Sequence, residues 1–348
     1  MFFNYKQQIL KMKIVVTGGL GFIGSHTVVE LQNEGFEVVA IDNLSNSSEN
    51  VLDGIFNITG KKPIFEKLDL REKTVVQDFF SRHNDVVGVI HFAASKAVGE
   101  SVENPLLYYE NNINALVYIL QEISKLEQSN FIFSSSCTVY GQAEKMPITE
   151  NAPVQQAMSP YGNTKQIGEE IINDVAKVTP LNSILLRYFN PIGAHPSAEI
   201  GELPLGVPQN LVPFITQTAI GLREKLSVFG DDYPTTDGTA VRDYIHVVDL
   251  AKAHVVALKR LLDKKNSDKV ETFNLGTGTG SSVLEVINVF EKVSGEKLNY
   301  QIVGRREGDV TEAFANTDKA NNVLGWKAQS SLEEALASAW KWEQKIRS

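Results

Sequence analysis

A tyrosine and a lysine near the middle of the chain have the spacing needed for proton transfer. Tyr161 and Lys165 form a Tyr-x-x-x-Lys pattern directly after Pro160, and proline suits the first turn of a helix. Residues four apart share one helix face, so the ammonium can favour the phenolate of a tyrosine whose ordinary pKa is about 10. Such pairs also occur by chance on surface helices, so the pattern needs support from elsewhere.

Part of that support is a run of serines at 134–136, which ends an apolar segment. Ligands of doubly wound sheets bind beyond the carboxyl ends of the strands. Ser136 could therefore relay a proton between Tyr161 and a substrate hydroxyl. The alternative is that these serines only satisfy the backbone of a turn.

A glycine-rich loop near the start of the chain has the composition of a phosphate-binding turn. It satisfies Gly-x-x-Gly-x-x-Gly through Gly18, Gly21 and Gly24, and Gly-x-Gly-x-x-Gly when Gly19 is counted instead of Gly18. Glycine lets the backbone approach a pyrophosphate, and the following helix N-terminus presents N–H groups and partial positive charge to that anion. The loop therefore predicts a dinucleotide site.

Acidic residues at the ends of the next two predicted strands narrow the choice of cofactor. Asp42 would accept hydrogen bonds from the adenosine ribose hydroxyls and would repel a 2′-phosphate, which predicts NAD rather than NADP. Asp69 is a candidate for the adenine edge or, equally, for a helix N-cap. A second glycine cluster at 276–280 has a different spacing, and we interpret it as a loop that ends in a helix N-cap.

These residues need a scaffold that brings strand ends together, and the hydrophobic pattern predicts one. Apolar runs bounded by turn residues predict buried parallel strands at 13–17, 37–41, 64–68, 86–92, 131–135 and 183–188. Amphipathic stretches predict helices at 22–34, 72–83, 106–126 and 160–178. Strands that alternate with helices predict an α/β fold with a doubly wound, Rossmann-type parallel sheet.

The composition of the chain changes after Asn190, where glycine and proline become frequent. Strands are expected at 243–247 and 272–275, and helices at 248–262, 282–294, 318–324 and 332–345. We predict an N-terminal tail at 1–11 and a Rossmann-type domain at 12–189 with an interleaved segment at about 241–275. A smaller mixed α/β domain is expected at 190–240 and 276–348.

Composition excludes several other classes of protein. The chain of 348 residues has 33 basic and 42 acidic residues and a formal net charge of −9, which argues against nucleic-acid binding. No apolar run approaches the roughly 20 residues that span a bilayer, and the first residues lack signal-peptide features. The single cysteine, Cys137, fits a reducing compartment, so a cytoplasmic protein is expected. No histidine has zinc-ligand spacing, so no metal is expected.

Taken together, the motifs resemble the extended short-chain dehydrogenase/reductases, and among them the UDP-glucose 4-epimerases. The resemblance extends from Met12 onward and rests on 16–25, 42–47, 91–96, 111–114, 133–141, 161–165, 187–195, 241–250 and 305–309. It implies a bound NAD that is not consumed. It also implies reversible C4 epimerisation of UDP-hexoses through transient oxidation to a 4-keto sugar, with the smaller domain binding the UDP-sugar.

The resemblance assigns roles by position. Tyr161 is the base at the sugar 4-hydroxyl, Ser136 assists it, and Lys165 tunes Tyr161 and binds the cofactor. NAD would contact these three and also Gly18, Gly21, Phe22, Ile23, Gly24, Asp42, Asn43, Ser47, Asp69, Leu70, Phe92, Ala93, Ala94, Lys96, Asn111 and Tyr188. Besides Ser136 and Tyr161, the UDP-sugar would contact Lys96, Phe189, Asn190, Asn210, Leu211, Val228, Phe229, Arg242, Arg306, Asp309 and Ala313.

The same resemblance separates plain epimerisation from related chemistry. Nucleotide-sugar dehydratases carry an Asp-Glu pair just before the Val-Tyr-Gly turn, where this chain has Cys137 and Thr138. Restricted epimerases carry a bulky tyrosine at the sugar-pocket position that corresponds here to Ala313, or to Phe314 if the alignment slips by one residue. A small residue leaves room for an acetamido group, which predicts activity on UDP-GlcNAc and UDP-GalNAc as well.

The remaining expectations concern assembly and the alternative functions. The family implies a homodimer through helices 106–126 and 160–178. A net NAD-dependent dehydrogenase or reductase, or an epimerase acting on another nucleotide sugar, is the nearest alternative. A non-catalytic NAD sensor would not need Ser136, Tyr161 and Lys165 together. Without the resemblance, Arg242 and Arg306 would be interpreted as surface salt-bridge residues of an acidic protein.

Overall fold

The computed structural model describes residues 12–306 and 309–348, so the predicted tail at 1–11 lies outside the described residues. The chain forms two compact units. Unit 1 comprises the chain up to Gly141 together with Val154–Arg187 and Ala251–Phe273, and unit 2 comprises Gln142–Pro153, Tyr188–Leu250 and Asn274–Ser348. Residues 142–153 and 241–250 therefore group with unit 2, whereas the sequence-based division left them with the Rossmann-type domain.

The strands comprise one large sheet and several small ones. They are β1 (Lys13–Thr17), β2 (Glu37–Asp42), β3 (Ile64–Lys67), β4 (Val86–His91), β5 (Asn130–Ser136), β6 (Asn182–Tyr188), β7 (Asn190–Ile192), β8 (Leu226–Phe229), β9 (Val241–Arg242), β10 (Tyr244–His246), β11 (Val270–Leu275), β12 (Ser281–Ser282), β13 (Tyr300–Val303) and β14 (Glu312–Ala313).

The large sheet has seven strands in the order β11-β6-β5-β4-β1-β2-β3, and the pairs that flank β1, together with β2–β3 and β4–β5, are parallel. The chain leaves β1 for β2 on one side and later returns to β4 on the other, which is the switch point of a doubly wound fold.

Seven of the ten α-helices in the described part of the chain coincide with predicted segments, whereas those at 51–59, 98–103 and 211–219 were not predicted. They are α1 (Phe22–Asn33), α2 (Val51–Thr59), α3 (Lys73–Arg82), α4 (Val98–Glu103), α5 (Pro105–Ile123), α6 (Pro160–Val178), α7 (Leu211–Ala219), α8 (Val247–Leu262), α9 (Val283–Ser294) and α10 (Leu332–Arg347). Capping signals explain where several of them begin: the Ser159 side chain accepts a hydrogen bond from the Gly162 N–H at the start of α6, and α9 and α10 each begin with a capping box.

The core of unit 1 is apolar and lies between the sheet and its helices. Strand residues such as Val15, Val39 and Phe131 are fully buried against Ile119 of α5 and Ile172 of α6. Burial of each such side chain contributes about 1.5–3 kcal/mol. This packing fixes the strand ends that carry the predicted cofactor residues. The predicted Rossmann-type α/β fold is confirmed.

Unit 2 has its own core and small sheets. Strands β7 and β10 pair in parallel, as do β8 and β13, and β9 lies between β12 and β14. Phe290 of α9 packs at right angles to Trp340 of α10 in the hydrophobic core. None of the described helices has the length and apolarity to cross a membrane.

Two predicted elements of unit 2 differ in the structure. The helix expected at 318–324 has those bounds, but from Ala320 to Leu324 it is π-helical, and Gly325 ends it with a left-handed conformation. The strand expected at 243–247 is β10, Tyr244–His246, and a break separates it from the preceding strand β9. The break falls at Asp243, whose buried side chain binds the loop at Thr277 and Gly278.

Candidate active site and cofactor site

The phosphate loop is packed so tightly that only glycine fits. A Cβ atom on Gly24 would lie 2.1 Å from the Gly18 carbonyl oxygen, and one on Gly19 would lie 2.8 Å from the Ala40 Cβ. Gly18 has a φ of 64°, which L side chains rarely adopt. Glycine at these positions therefore lets the loop pack closely on itself and on β2, and we call this turn, residues 18–24, the glycine cradle.

The start of α1 has the electrostatics of an anion site. Its N-cap is Gly21, which supplies no side-chain cap, and the first turn carries no acidic residue. The Lys96 Nζ lies 5.8 Å from the centroid of the Phe22 ring at this helix end. The helix dipole and this ammonium both favour a bound anion, so the cradle fits the pyrophosphate of a dinucleotide.

Asp42, at the end of β2, holds the glycine cradle in place by hydrogen bonds. Its carboxylate accepts hydrogen bonds from the Leu20 N–H (3.1 Å), the Leu44 N–H (2.9 Å) and the Ser47 hydroxyl (2.8 Å). The two carboxylate oxygens have about four acceptor sites in all, so ribose hydroxyls can still be accepted. The negative charge disfavours a 2′-phosphate, as the NAD prediction requires.

Asp69 lies at the end of the neighbouring strand, β3, but does not cap the helix that follows. The N-cap of α3 is Glu72, whereas the Asp69 carboxylate accepts hydrogen bonds from the backbone N–H and the guanidinium of Arg71. Those bonds, together with one from Asn43, hold the pKa of Asp69 below its usual range. Asp69 thus joins Asn43 and Asp42 at one edge of the sheet, where an adenosine would bind.

The loop after β4 is held by an asparagine that the sequence analysis did not select. Asn112 accepts from the Ser95 N–H (2.8 Å) and donates to the Ser95 carbonyl (3.0 Å) and to the Thr164 hydroxyl of α6 (3.1 Å). The predicted cofactor residue Asn111 donates to the Ser95 hydroxyl (3.1 Å). Asn112 thus fixes the loop that carries Ala93, Ala94 and Lys96.

Tyr161 and Lys165 share a face of α6, as predicted. The Lys165 Nζ lies 5.8 Å from the centroid of the Tyr161 ring and 5.0 Å from that of the Phe133 ring. It donates to the Ser134 carbonyl at 2.7 Å. Gly168 permits this approach, because a Cβ atom there would lie 2.7 Å from the Phe133 ring.

Burial weakens the proton affinity of two groups in this region. It lowers the pKa of Lys165 to about 8, although the Glu169 carboxylate opposes that shift. It also lowers the pKa of His91 to about 3, with a smaller contribution from the Lys165 charge. His91 is therefore neutral near pH 7, with its Nδ1 2.8 Å from the Thr17 hydroxyl and its ring stacked near Phe133.

Ser136 ends β5 and begins the short 3₁₀ helix Cys137–Tyr140. Its hydroxyl oxygen accepts a hydrogen bond from the Thr138 N–H (3.2 Å), which satisfies the turn backbone. A hydroxyl that accepts one bond can still donate its proton. The backbone role and the proposed relay are therefore compatible.

The remaining predicted cofactor residues occupy varied environments in the structure. Leu70 belongs to the unit 1 core, and the Phe92 ring lies 4.6 Å from the His254 ring. The Ala93 N–H donates to the Thr17 hydroxyl at 3.3 Å. Ile23 is partly exposed in the first turn of α1, and Tyr188, at the end of β6, is buried in unit 2.

In unit 2, the structure brings the two predicted diphosphate arginines to one carboxylate. Asp309 accepts a hydrogen bond from the Arg306 Nη2 at 2.7 Å and lies 3.5 Å from the Arg242 Nη2. The Arg306 guanidinium lies 5.7 Å from the centroid of the Phe229 ring, which is 42% exposed and available for stacking. Two guanidinium groups beside an exposed aromatic ring suit a nucleoside diphosphate.

The strand pairing distinguishes Ala313 from Phe314 at the sugar-pocket position. Ala313 is the register partner of Arg242 in the parallel β9–β14 pair, and paired residues project from the same face of a sheet. Phe314 projects from the opposite face, where its ring packs against Gly280. Ala313 therefore shares a face with Arg242.

The other predicted substrate residues of unit 2 are less uniform. The Val228 side chain belongs to the hydrophobic core. Asn210 precedes α7 and donates to Glu202 at 2.7 Å, and Leu211 packs partly on the core. The Phe189 N–H and the Asn190 N–H donate to the carbonyls of Leu275 and Asp243 respectively, which makes both residues part of the local backbone pairing.

Comparison with known proteins agrees with this geometry. The family model described as GDP-mannose 4,6 dehydratase matches residues 15–339. The UDP-glucose 4-epimerase of Bacillus subtilis (strain 168) is 51% identical over 333 residues, which cover 95% of this chain and 97% of that protein. The mouse (Mus musculus) UDP-glucose 4-epimerase is 47% identical over 339 residues, which cover 95% of this chain and 96% of that protein.

Solved structures give the same result. The UDP-glucose 4-epimerase from Stenotrophomonas maltophila, with bound NAD and formylated UDP-arabinopyranose, has a TM-score of 0.93 and 46% identity, with 97% of this chain and 99% of that chain covered. The enzyme from Bifidobacterium longum, in complex with NAD+ and UDP, has a TM-score of 0.91 and 44% identity, with the same coverage. The sequence matches and the shared fold confirm the resemblance drawn from the motifs: the chain belongs to the UDP-glucose 4-epimerase family.

Proposed function

We propose that this chain catalyses the reversible C4 epimerisation of UDP-hexoses, interconverting UDP-glucose and UDP-galactose with a retained NAD. The observation that carries the proposal is the buried ammonium of Lys165, held at the end of β5 beside the Tyr161 ring. The glycine cradle and Asp42 supply the cofactor site, and family membership agrees with both.

The chain's own residues account for the proton transfers. Tyr161, as the phenolate favoured by the Lys165 charge, removes the proton from the sugar 4-hydroxyl, and Ser136 relays that proton. NAD held by the glycine cradle and Asp42 would supply a reversible hydride acceptor for C4. If the hydride were returned to the other face of C4 and Tyr161 gave its proton back, the net reaction would invert C4 and consume nothing.

Under the same proposal, unit 2 binds the nucleotide. Arg242 and Arg306 bind the diphosphate by charge-assisted hydrogen bonds, and the exposed Phe229 ring stacks on the base. The nucleotide stays anchored while the oxidised sugar turns over. Cys137 and Thr138 stand where dehydratases carry an Asp-Glu pair, so no acid and base for loss of water are supplied there.

We extend the proposal to N-acetylated UDP-hexoses. Ala313 shares a sheet face with Arg242, and its methyl group leaves room for a 2-acetamido group. The support is therefore the strand register together with the small side chain. UDP-GlcNAc and UDP-GalNAc are proposed as a second substrate pair.

We also propose a homodimer and a cytoplasmic location. Helices α5 and α6 are those that the family resemblance assigns to the dimer, and Val102 and Leu106 expose apolar side chains immediately before and at the start of α5. Light scattering at micromolar protein is expected to give twice the chain mass of 38.5 kDa, whereas the monomer mass would contradict the dimer. A single cysteine agrees with a reducing compartment.

The function is tested with purified protein, no added NAD, and proton NMR of UDP-galactose and UDP-GalNAc together. Conversion of both to their C4 epimers, followed at the anomeric signals, is the expected result. Conversion of UDP-galactose alone would overturn the proposed activity on N-acetylated UDP-hexoses. Accumulation of a free oxidised product with reduced cofactor would favour the dehydrogenase alternative, and no change would overturn the proposal.

A further inference from the structure

A buried ion pair lies behind the proposed catalytic pair, and the mechanism does not use it. Glu169 of α6 and Arg187 of β6 are 6% and 7% exposed. The Arg187 Nε donates to Glu169 Oε1 at 2.8 Å and its Nη2 donates to Oε2 at 2.5 Å. Two buried charges cost several kcal/mol each in lost hydration, so such a pair is weak evidence for stability alone.

The pair is connected to the end of β5. The Ser135 hydroxyl donates to Glu169 Oε1 at 2.5 Å. Ser135 lies between two residues of the proposed site. The Ser134 carbonyl accepts a hydrogen bond from the Lys165 ammonium, and Ser136 is the proposed relay. Lys165 and Glu169 are four residues apart on α6, so both fasten the same strand end to the same helix.

The charge of Glu169 also acts on Lys165. The groups that face Lys165 are His91 on β4, Tyr161 and Glu169 on its own helix, and, beyond Glu169, Arg187 on β6. His91 is neutral near pH 7. Glu169 therefore supplies the negative charge that opposes the loss of the Lys165 proton on burial, and its carboxylate is paired with the Arg187 guanidinium.

We propose that Glu169 is a positioning residue of the epimerase: through Ser135 it holds the Ser134–Ser136 strand end against α6, and it places its carboxylate one helical turn from Lys165. This inference rests on the proposed function, because it gives Glu169 its effect through Lys165 and Ser136. A merely structural pair would affect the stability of the fold but not the pH range of turnover.

The test is the pH profile of kcat for Glu169→Gln, which keeps the shape of the side chain and removes its charge. Without that charge Lys165 loses its proton at lower pH, so the alkaline limb is expected to move down by about one pH unit. The control is Glu170→Gln, the exposed neighbour on the same helix. A Glu169→Gln profile that matches wild type, with NAD still bound, would overturn the proposal.

Two further variants distinguish a failure of this proposal from a failure of the proposed catalytic site. Ser135→Ala removes only the hydroxyl link, and a roughly threefold fall in kcat at unchanged KM is expected from one lost hydrogen bond. A Ser135→Ala variant with the wild-type kcat would overturn the proposal that Glu169 positions the strand end. This test can be carried out even if Glu169→Gln fails to fold. Lys165→Met is expected to abolish turnover, and if it does not, the proposed catalytic site fails instead.

Discussion

At the scale of single residues, the phenolic oxygen of Tyr161 is the group whose removal tests the proposed base most directly. Tyr161→Phe is expected to lower turnover by roughly 100-fold or more, the usual contribution of a positioned base. The variant keeps the Lys165 contact with Ser134, so NAD is expected to stay bound. The measurements are the NMR rate of epimerisation and the cofactor released on denaturation. Turnover near the wild-type rate would contradict the assignment.

Ala313 offers a second residue-scale test, directed at specificity. Ala313→Tyr places a phenol ring on the face shared with Arg242, where it would exclude an acetamido group. Conversion of UDP-GalNAc is expected to fall roughly tenfold or more relative to UDP-galactose. Phe314→Leu, on the opposite face of the strand, is the matched control and is expected to leave that ratio unchanged. Equal loss on both sugars in Ala313→Tyr would refute the assignment.

At the scale of elements, one carboxylate connects segments that the sequence separates widely. Asp243 is fully buried and accepts hydrogen bonds from the Thr277 N–H and hydroxyl (both 2.8 Å), the Gly278 N–H (3.1 Å) and the Ala315 N–H (3.2 Å). A Cβ on Gly276 would lie 2.3 Å from Asp243 Oδ2. The second glycine cluster therefore surrounds a carboxylate of the protein and fixes β9 and β14.

Asp243→Asn is the corresponding prediction. Burial raises the pKa of Asp243 and its hydrogen bonds oppose that rise, whereas an amide presents one N–H₂ group to donors that need an acceptor. The expected cost is about 1–3 kcal/mol of unfolding free energy, measured in urea. Because β9 carries Arg242 and β14 carries Ala313, KM for UDP-galactose is expected to rise more than kcat falls. Thr277→Val, which removes only one donor, is expected to have a smaller effect, and an unchanged KM in Asp243→Asn would disprove the link.

The elements that sequence patterns could predict are those whose core is local. The alternation of buried strands and amphipathic helices gave the Rossmann-type fold, because each element of unit 1 buries its own apolar face. Short strands such as β8 and β13, which pair across a long separation in sequence, have too few residues for a periodic signal. The short helix α4 at Val98–Glu103 was missed for the same reason.

The residues of the candidate site likewise fall into those that the sequence pattern identified and those that it missed. Tyr161, Lys165 and the glycine loop were found because their spacing along the chain is itself the signal. Asn112 and Glu169 were missed, because each acts through partners that only the fold brings near, such as Thr164 and Arg187. Their signal in the sequence was limited to a polar residue inside a helix that is otherwise buried on that side.

At the scale of the whole molecule, one buried histidine makes stability depend on pH. His91 lies at the centre of the sheet, between the Thr17 hydroxyl and the rings of Phe131 and Phe133. Burial lowers its pKa from 6.5 to about 3. Below pH 6.5 His91 binds a proton in the unfolded chain but not in the folded chain. The folded state therefore loses stability as pH falls from 6.5 toward 3.

The carboxyls whose pKa hydrogen bonds hold down, such as Glu66 and Asp69, contribute stability that is lost only below about pH 4. Between pH 6.5 and pH 5, the comparison of wild type with a His91 variant isolates the contribution of His91. At about 1.4 kcal/mol per pH unit, it is expected to account for about 2 kcal/mol of the fall in unfolding free energy, measured by urea denaturation with NAD bound. His91→Phe, which cannot titrate, is expected to lose that part of the slope, while His195→Asn, a control outside the sheet, keeps it. Equal slopes in wild type and His91→Phe would mean that the histidine takes up its proton inside the folded protein.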